Sequence, residues 1–314
     1  MSVYTSVEQD QLELFLSHYN LGKLIDYKGI SAGIENTNYF VTTSAGEFVL
    51  TIFEQMTYEE VPYFLELMAY MDEHHVPSPH PQPDNEKKYL RRFYDKPAAL
   101  VRKLNGRDVK NPNSVQCQAL GVTLGHLHTV APGFHLYRAN PRGPHWWRIT
   151  AEKVIPCLNN TEKKLLQEEI NFQSKHQHFN LPRGVIHADL FRDNALFEND
   201  VLSGLIDFYY ACDDVLLYDV AITVNDWCSL ESGELDKNRL HALLDAYQHE
   251  RPFTHEEREV WQVMLRAAAL RFWLSRLHDL YFPREGELTH TKNPDEFKRI
   301  LLARLNLPTD CNLP

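Results

Sequence analysis

The sequence predicts an α+β chain with a small β-rich first part and a larger, mainly helical second part. Three observations predict it. Apolar residues alternate with polar ones at Tyr39, Val41, Phe48, Leu50 and Ile52 around Ser44-Ala45-Gly46, the pattern of an antiparallel hairpin. After Gly106 the apolar period lengthens to that of helices for most of the remaining chain. One compact β-region, 184–207, interrupts those helices. The predicted division is 1–104 and 105–314, where Asn105-Gly106 and Asn111-Pro112 break both patterns.

In chain order, Leu12, Phe15, Leu16 and Tyr19 have helical spacing within 8–19. The hairpin follows. Thr57 is a predicted cap for a helix running to about His75, with Tyr63, Leu67, Tyr70 and Met71 on one face. Val76-Pro-Ser-Pro-His-Pro ends it, and strands are expected at about 88–93 and 98–104. In the second part, Val115, Leu120, Leu124 and Leu127 predict a helix over 113–130. Residues 131–147, rich in Pro, Gly and aromatics, read as an ordered surface loop. Further helices are expected near 161–178, 215–229, 236–249, 255–280 and 294–304.

The composition excludes several classes. With 314 residues and 43% hydrophobic content, the chain has ample apolar material for a core and is not a disordered tail. A net charge of −11 argues against a nucleic-acid partner, which requires a basic face. No apolar run approaches a membrane span, the longest being broken by Arg271. The N-terminal residues lack the charged and apolar regions of a signal peptide, and the five scattered cysteines form no CxxC, so a reducing cytoplasm is expected. His126 and His128 would lie about 200° apart on a helix, too far around it to share a metal.

The chemistry concentrates in 184–207. His187, Asp189 and Asn194 fall on a loop that apolar strand residues enter and leave, and Asp207 ends another strand. A carboxylate on a rigid loop can orient a hydroxyl and take its proton, the part assigned to Asp189. Asn194 and Asp207 offer hard oxygens suited to a divalent cation beside phosphates. This pattern fits phosphoryl transfer.

His-x-Asp-Leu-x-x-x-Asn at 187–194, followed by Ile206-Asp207-Phe208, resembles the loop of the aminoglycoside-phosphotransferase and choline-kinase superfamily. Within it the chain is similar to the homoserine kinases, through HADLFRDNALF, LIDFYYACDDVLLYDVAITVNDWC, RFWLSRL, SAGIENTNYFV and EFVLTIFE. The resemblance covers nearly the whole chain. It implies a two-lobed protein-kinase-like fold, with a nucleotide-binding antiparallel sheet lobe and a larger helical lobe carrying catalysis. It also implies ATP-dependent phosphorylation of the side-chain hydroxyl of L-homoserine, with Mg²⁺, on the threonine pathway.

By the same resemblance, Asp189 is the base, Asn194 and Asp207 hold Mg²⁺·ATP, His187 organises the loop, and Asp219 accepts its backbone N–H groups. Gly29, Gly33, Asn36, Thr37 and Asn38 match the nucleotide-covering loop. Leu100, in 98–104, matches the hinge that meets adenine through its backbone. Thr51 stands where such kinases carry a strand lysine, so Lys28 or Arg102 is the alternative cation, unless Mg²⁺ and backbone amides suffice.

For the acceptor, Arg271 is favoured for the carboxylate over Arg276, which points about 140° away. Snorkelling or pairing with Asp279 is its bland alternative. Asp226 is favoured for the ammonium, with Asn225, Trp227 and Tyr209 nearby, and core packing is the alternative for Trp227. Two other functions remain open: a kinase of choline, a sugar or an aminoglycoside, and a non-catalytic pseudokinase motivated by Thr51. The oligomeric state is left open.

Overall fold

The computed structural model describes residues 5–30, 36–176, 180–283 and 292–314. The chain divides into two compact units, the break falling between Asn105 and Gly106.

The first unit has helix α1 (Gln9–Leu16), strands β1 (Leu24–Gly29), β2 (Thr37–Thr43) and β3 (Gly46–Ile52), helix α2 (Val61–Glu73), and strands β4 (Arg91–Phe93) and β5 (Lys96–Arg102). The strands form one antiparallel sheet in the order β1-β2-β3-β5-β4. The β2–β3 turn closes at Thr43 and Gly46, where φ is +150°, a region that suits glycine. The alternation seen in the sequence places Tyr39, Val41, Phe48, Leu50, Ile52, Ala98 and Leu100 in one core with Leu12, Phe15 and Leu16 of α1. Full burial of a side chain such as Leu50 stabilises by about 1.5–3 kcal/mol.

Two boundaries differ from the expectation. Helix α2 begins at Val61, not at Thr57. Thr57 instead starts a separate turn, its carbonyl accepting the Glu60 N–H, and Pro62 sits in the helix's first turn, where its missing donor costs nothing. Strand β4 begins at Arg91 because the buried Asp84 accepts the N–H groups of Glu86 and Lys88 and draws 84–88 into a turn.

The second unit carries α3 (Ser114–Val130), α4 (Pro144–Val154), α5 (Asn160–Ser174), β6 (Arg183–Ile186), β7 (Ala195–Glu198), β8 (Val201–Leu205), β9 (Cys212–Val215), α6 (Leu216–Trp227), α7 (Lys237–Glu250), α8 (His255–Glu259), α9 (Trp261–Tyr281) and α10 (Pro294–Leu305). Asn113 with Gln116, and Asn159 with Glu162, form capping boxes that start α3 and α5. Helices α3 and α7 pack closely at Gly121, where a Cβ would lie 2.2 Å from the Leu243 carbonyl oxygen.

Helix α4 begins inside the segment expected to be loop. Pro144 occupies its first turn, and Trp147 turns inward. The single helix expected over 255–280 breaks at Val260 into α8 and α9. Strand β9, unforeseen, pairs with β6, and β7 pairs with β8. Helix α6 is buried at all twelve positions, so it is a central strut and not an amphipathic surface helix.

Candidate active site

The 187–194 loop connects β6 to β7, and buried polar groups fix it from several sides. Asp219, fully buried on α6, accepts the His187 N–H on Oδ2 and the Ala188 N–H on Oδ1, both at 2.8 Å. Ala188 stands at φ +63°, a strained conformation for alanine, so this anchor holds a backbone that would otherwise relax. His128 of α3 donates Nε2–H to Asp219 Oδ2 at 3.2 Å, while its Nδ1 accepts the Tyr247 hydroxyl at 2.8 Å. Tyr247 in turn accepts from Arg251, which pairs with the buried Glu257.

These contacts fix the charge states. Burial pushes His128 and His187 below the ordinary histidine value, so both imidazoles are neutral. Burial would raise the Asp219 carboxyl, but the bonds donated by His128 and by the His187 N–H outweigh it and hold Asp219 below the ordinary carboxylate value.

His187 makes a 3.0 Å bond from Nε2 to the Ile206 carbonyl, tying the loop to the residue before Asp207. The Ile206 N–H donates to the Asn194 carbonyl at 2.9 Å, a second tie between the same segments. Asp207 takes the left-handed conformation, φ +63° and ψ +53°, at the mouth of the 208–210 turn. Asn194 donates Nδ2–H to the Asp189 carbonyl (2.8 Å) and to Asp189 Oδ2 (3.1 Å). That leaves its amide oxygen for a cation. Asn194 and Asp207 are hard oxygen donors of the kind a nucleotide-bound divalent ion takes. Two such donors would make an incomplete shell. No group of three or more His, Cys, Asp or Glu side chains able to hold a metal occurs among the described residues, so phosphate and water oxygens would complete the coordination.

Residues 26–253 match the phosphotransferase enzyme family. The chain belongs to that family. The phosphotransferase is 50% identical over 301 residues to a homoserine kinase of Methylobacillus flagellatus, covering 96% of this chain and 94% of that one. It is 45% identical to a homoserine kinase of a Janthinobacterium species, covering 98% of each. Among solved structures it resembles amicoumacin kinase hAmiN in complex with AMP-PNP, Ca²⁺ and Ami (TM-score 0.72, 14% identity, 95% of this chain and 92% of that one). It also resembles spectinomycin phosphotransferase APH(9)-Ia (TM-score 0.68, 11% identity, 94% of each). These likenesses establish a protein-kinase-like α+β fold.

The acceptor-side residues read from the sequence separate into two groups. Arg271 of the phosphotransferase comes to the loop. It is buried, its Nη1 lies 3.6 Å from Asp189 Oδ1, and its guanidinium packs on Phe272 and on Tyr210. Tyr210 meets it, with Tyr209 half-buried beside it in the turn.

The others are committed elsewhere, which corrects their expected role. Asp226 accepts the Arg192 backbone N–H (2.7 Å) and its guanidinium, so it is engaged in anchoring the loop. Trp227 is fully buried and donates its indole N–H to the Leu190 carbonyl. Asn225 bonds the Leu265 carbonyl and the buried Arg304. Arg276 is held by Glu296 and the Asn293 carbonyl. The cause is common to the three residues on α6: a helix buried all round must satisfy its polar side chains within the protein.

In the first unit, Gly29 ends β1 and Asn36 is buried ahead of β2, while Gly33 lies outside the described residues. Thr37 donates to Glu54, which Lys96 also binds. Thr51 donates to Asn38 Oδ1 at 2.8 Å. Lys28 is exposed on β1, and Arg102 pairs with Asp72. Leu100 has its side chain in the α1-facing core, and its carbonyl accepts the Gln82 N–H.

A cavity of about 360 Å³ in the second unit is lined by Tyr137, Asn140, Trp147, Arg183, Asp214 and Tyr218, among others, and by none of Asp189, Asn194 and Asp207. That cavity is therefore apart from the candidate chemistry.

Proposed function

We propose that this phosphotransferase transfers the γ-phosphoryl group of ATP to the side-chain hydroxyl of L-homoserine, giving O-phospho-L-homoserine and ADP. The 50% identity to a homoserine kinase over almost the full length of both chains supports the acceptor. The single structural observation that carries the chemistry is Asp189, held by Asn194 on an anchored loop with Arg271 alongside.

The Asp189 carboxylate orients the substrate hydroxyl and accepts its proton as the oxygen bonds to phosphorus, while the bond from phosphorus to the β-phosphate oxygen breaks. Asn194 Nδ2 fixes one carboxylate oxygen, and Arg271 flanks the other. Asn194 Oδ1 and Asp207 are the ligands assigned to Mg²⁺, which when bound neutralises phosphate charge. Asp219, through two backbone N–H bonds, keeps Ala188 and hence Asp189 in place. The first unit supplies the nucleotide contacts, with Gly29, Asn36, Thr37 and Asn38 at the strand ends nearest the covering loop. Threonine biosynthesis in the cytoplasm is the corresponding setting.

A second reading, a pseudokinase, is favoured by one observation: Thr51 carries no charge and bonds Asn38. A coupled ADP-release assay with L-homoserine, choline, a sugar and an aminoglycoside separates the readings. Turnover with L-homoserine that requires Mg²⁺ supports the proposal. Turnover only with another alcohol replaces the acceptor, and no turnover with any of them supports the pseudokinase.

A further inference from the structure

We propose that Arg142, on the segment leading into α4, is the residue that binds the acceptor's carboxylate and selects a hydroxy amino acid over a simple amino alcohol. This deepens the homoserine reading and rests on it. The motivating feature is an arginine that is fixed in place yet has no counter-ion among the described residues.

The segment before α4 is strapped to β9, the strand that leaves the Asp207 turn. The Asp213 N–H donates to the Arg138 carbonyl (2.7 Å), and Asp213 Oδ2 accepts the Arg138 N–H (2.9 Å). Asn140 donates to Asp214 Oδ2 (2.6 Å) and accepts the Arg142 N–H on Oδ1 (2.8 Å). The Trp147 indole N–H donates to the Arg142 carbonyl (2.6 Å). The Arg142 backbone is thus set by bonds on both sides.

Its side chain stacks on Trp146, with the guanidinium carbon 4.5 Å from the ring centroid, and reaches 6.0 Å from the centroid of Tyr210. Among the described residues its guanidinium donors meet no acceptor, whereas Arg183, Arg192, Arg266 and Arg276 each bond a carboxylate. Arg271 approaches the same Tyr210 ring at 5.2 Å and already faces Asp189.

Tyr210 is therefore flanked by two arginines, whose guanidinium carbons are no more than about 11 Å apart. The inner one faces Asp189, and the outer one meets no carboxylate among the described residues. A four-carbon hydroxy amino acid spans about 5 Å from hydroxyl oxygen to carboxyl carbon, from ordinary bond lengths. With its hydroxyl on Asp189, its chain crosses Tyr210 and its carboxylate turns to Arg142. A planar guanidinium pre-set on an indole face presents two parallel donors to a carboxylate at little entropic cost. An amino alcohol has nothing to offer that fork.

The test uses the full chain with Arg142→Met and Arg142→Lys. L-Homoserine binding is measured by calorimetry, and kcat/KM is measured for L-homoserine and for 3-aminopropan-1-ol, which lacks the carboxylate. The expected result for Arg142→Met is at least 30-fold weaker binding of L-homoserine. The ratio of kcat/KM for L-homoserine over 3-aminopropan-1-ol falls equally, and the unfolding midpoint is unchanged. Arg142→Lys, keeping the charge without the fork, falls between.

Equal binding by wild type and Arg142→Met overturns the proposal, as does an equal loss for both acceptors. If wild type binds L-homoserine without turning it over, and Arg142→Met binds it 30-fold more weakly, the kinase reading fails while the assignment of Arg142 stands. If wild type does not bind L-homoserine, both fail.

Discussion

Replacing Asp219 by asparagine tests how the Asp189 loop is held. The carboxylate accepts three donors: Ala188 N–H on one oxygen, His187 N–H and His128 Nε2–H on the other. An amide keeps one acceptor and turns an NH₂ group toward whatever faced the second oxygen. The orientation losing fewest bonds keeps His187 and His128 and leaves the Ala188 N–H unanswered. Losing one bond to a charged acceptor costs about 1.5–3 kcal/mol, and stranding a buried donor about 1–3 kcal/mol more. The expected destabilisation is about 3–5 kcal/mol.

Ala188, left at φ +63° without its anchor, regains about 1–2 kcal/mol by relaxing. Asp189 moves with it, and displacement near 1 Å lowers kcat by about 10²-fold. All five tryptophans, Trp146, Trp147, Trp227, Trp261 and Trp273, lie beyond Gly106, so tryptophan fluorescence in urea follows the second unit alone. The coupled assay reads kcat. Stability within about 1 kcal/mol of wild type, or kcat within threefold of it, would refute the reasoning.

Other expectations can be checked independently. His128 and His187 have folded-state pKa values lowered by burial, so the unfolded chain binds more protons as pH falls through the ordinary histidine value of 6.5. Stability is then full above that value and lost below it, with a slope approaching about 1.4 kcal/mol per pH unit for each histidine, measurable by urea unfolding at pH 7 and 5.5. The depressed Asp219 pKa acts only in stronger acid, its contribution being lost as pH falls through the folded value, below 3.8. Asp226→Ala leaves the partly exposed Arg192 with the Lys110 carbonyl and Glu296 and should cost about 1–3 kcal/mol with the acceptor KM unchanged; a raised KM at wild-type stability would restore a substrate role for Asp226. Gly121→Ala drives a Cβ into the Leu243 carbonyl and should cost about 1–3 kcal/mol in the same fluorescence assay. Leu100→Ala empties part of the α1-facing core, costing about 2–5 kcal/mol by calorimetry, with KM for ATP within twofold of wild type.

Legibility in the sequence followed physical cause. The β2–β3 hairpin was readable because one buried face imposes a strict two-residue period. Helix α3 was readable because Leu120, Leu124 and Leu127 keep helical spacing and are buried. Strand β9 was not, since Cys212–Val215 is too short for a period and Asp213 and Asp214 read as loop residues. Helix α4 was hidden because proline and glycine suggest a loop until Pro144 is placed in a first turn.

At the site, the 187–194 spacing marked residues that converge, and Arg271 stood out as a charge in an apolar helix. Asn225, Asp226 and Trp227 could not be assigned from spacing. A polar residue on a helix buried all round has the same pattern whether it binds a ligand or a neighbouring carbonyl. Arg142 carried no signal either, because its meaning depends on Trp146 and Tyr210 and on the absence of an acceptor among the described residues.

The most direct measurement is a rapid-quench single turnover with ATP, Mg²⁺ and L-homoserine, the product identified by phosphorus NMR, for wild type and Asp189→Ala. The account predicts a phosphomonoester on the homoserine hydroxyl with wild type, formed about 10²–10⁴-fold more slowly by the variant. Equal rates from the two proteins, or phosphate appearing without the ester, would contradict it.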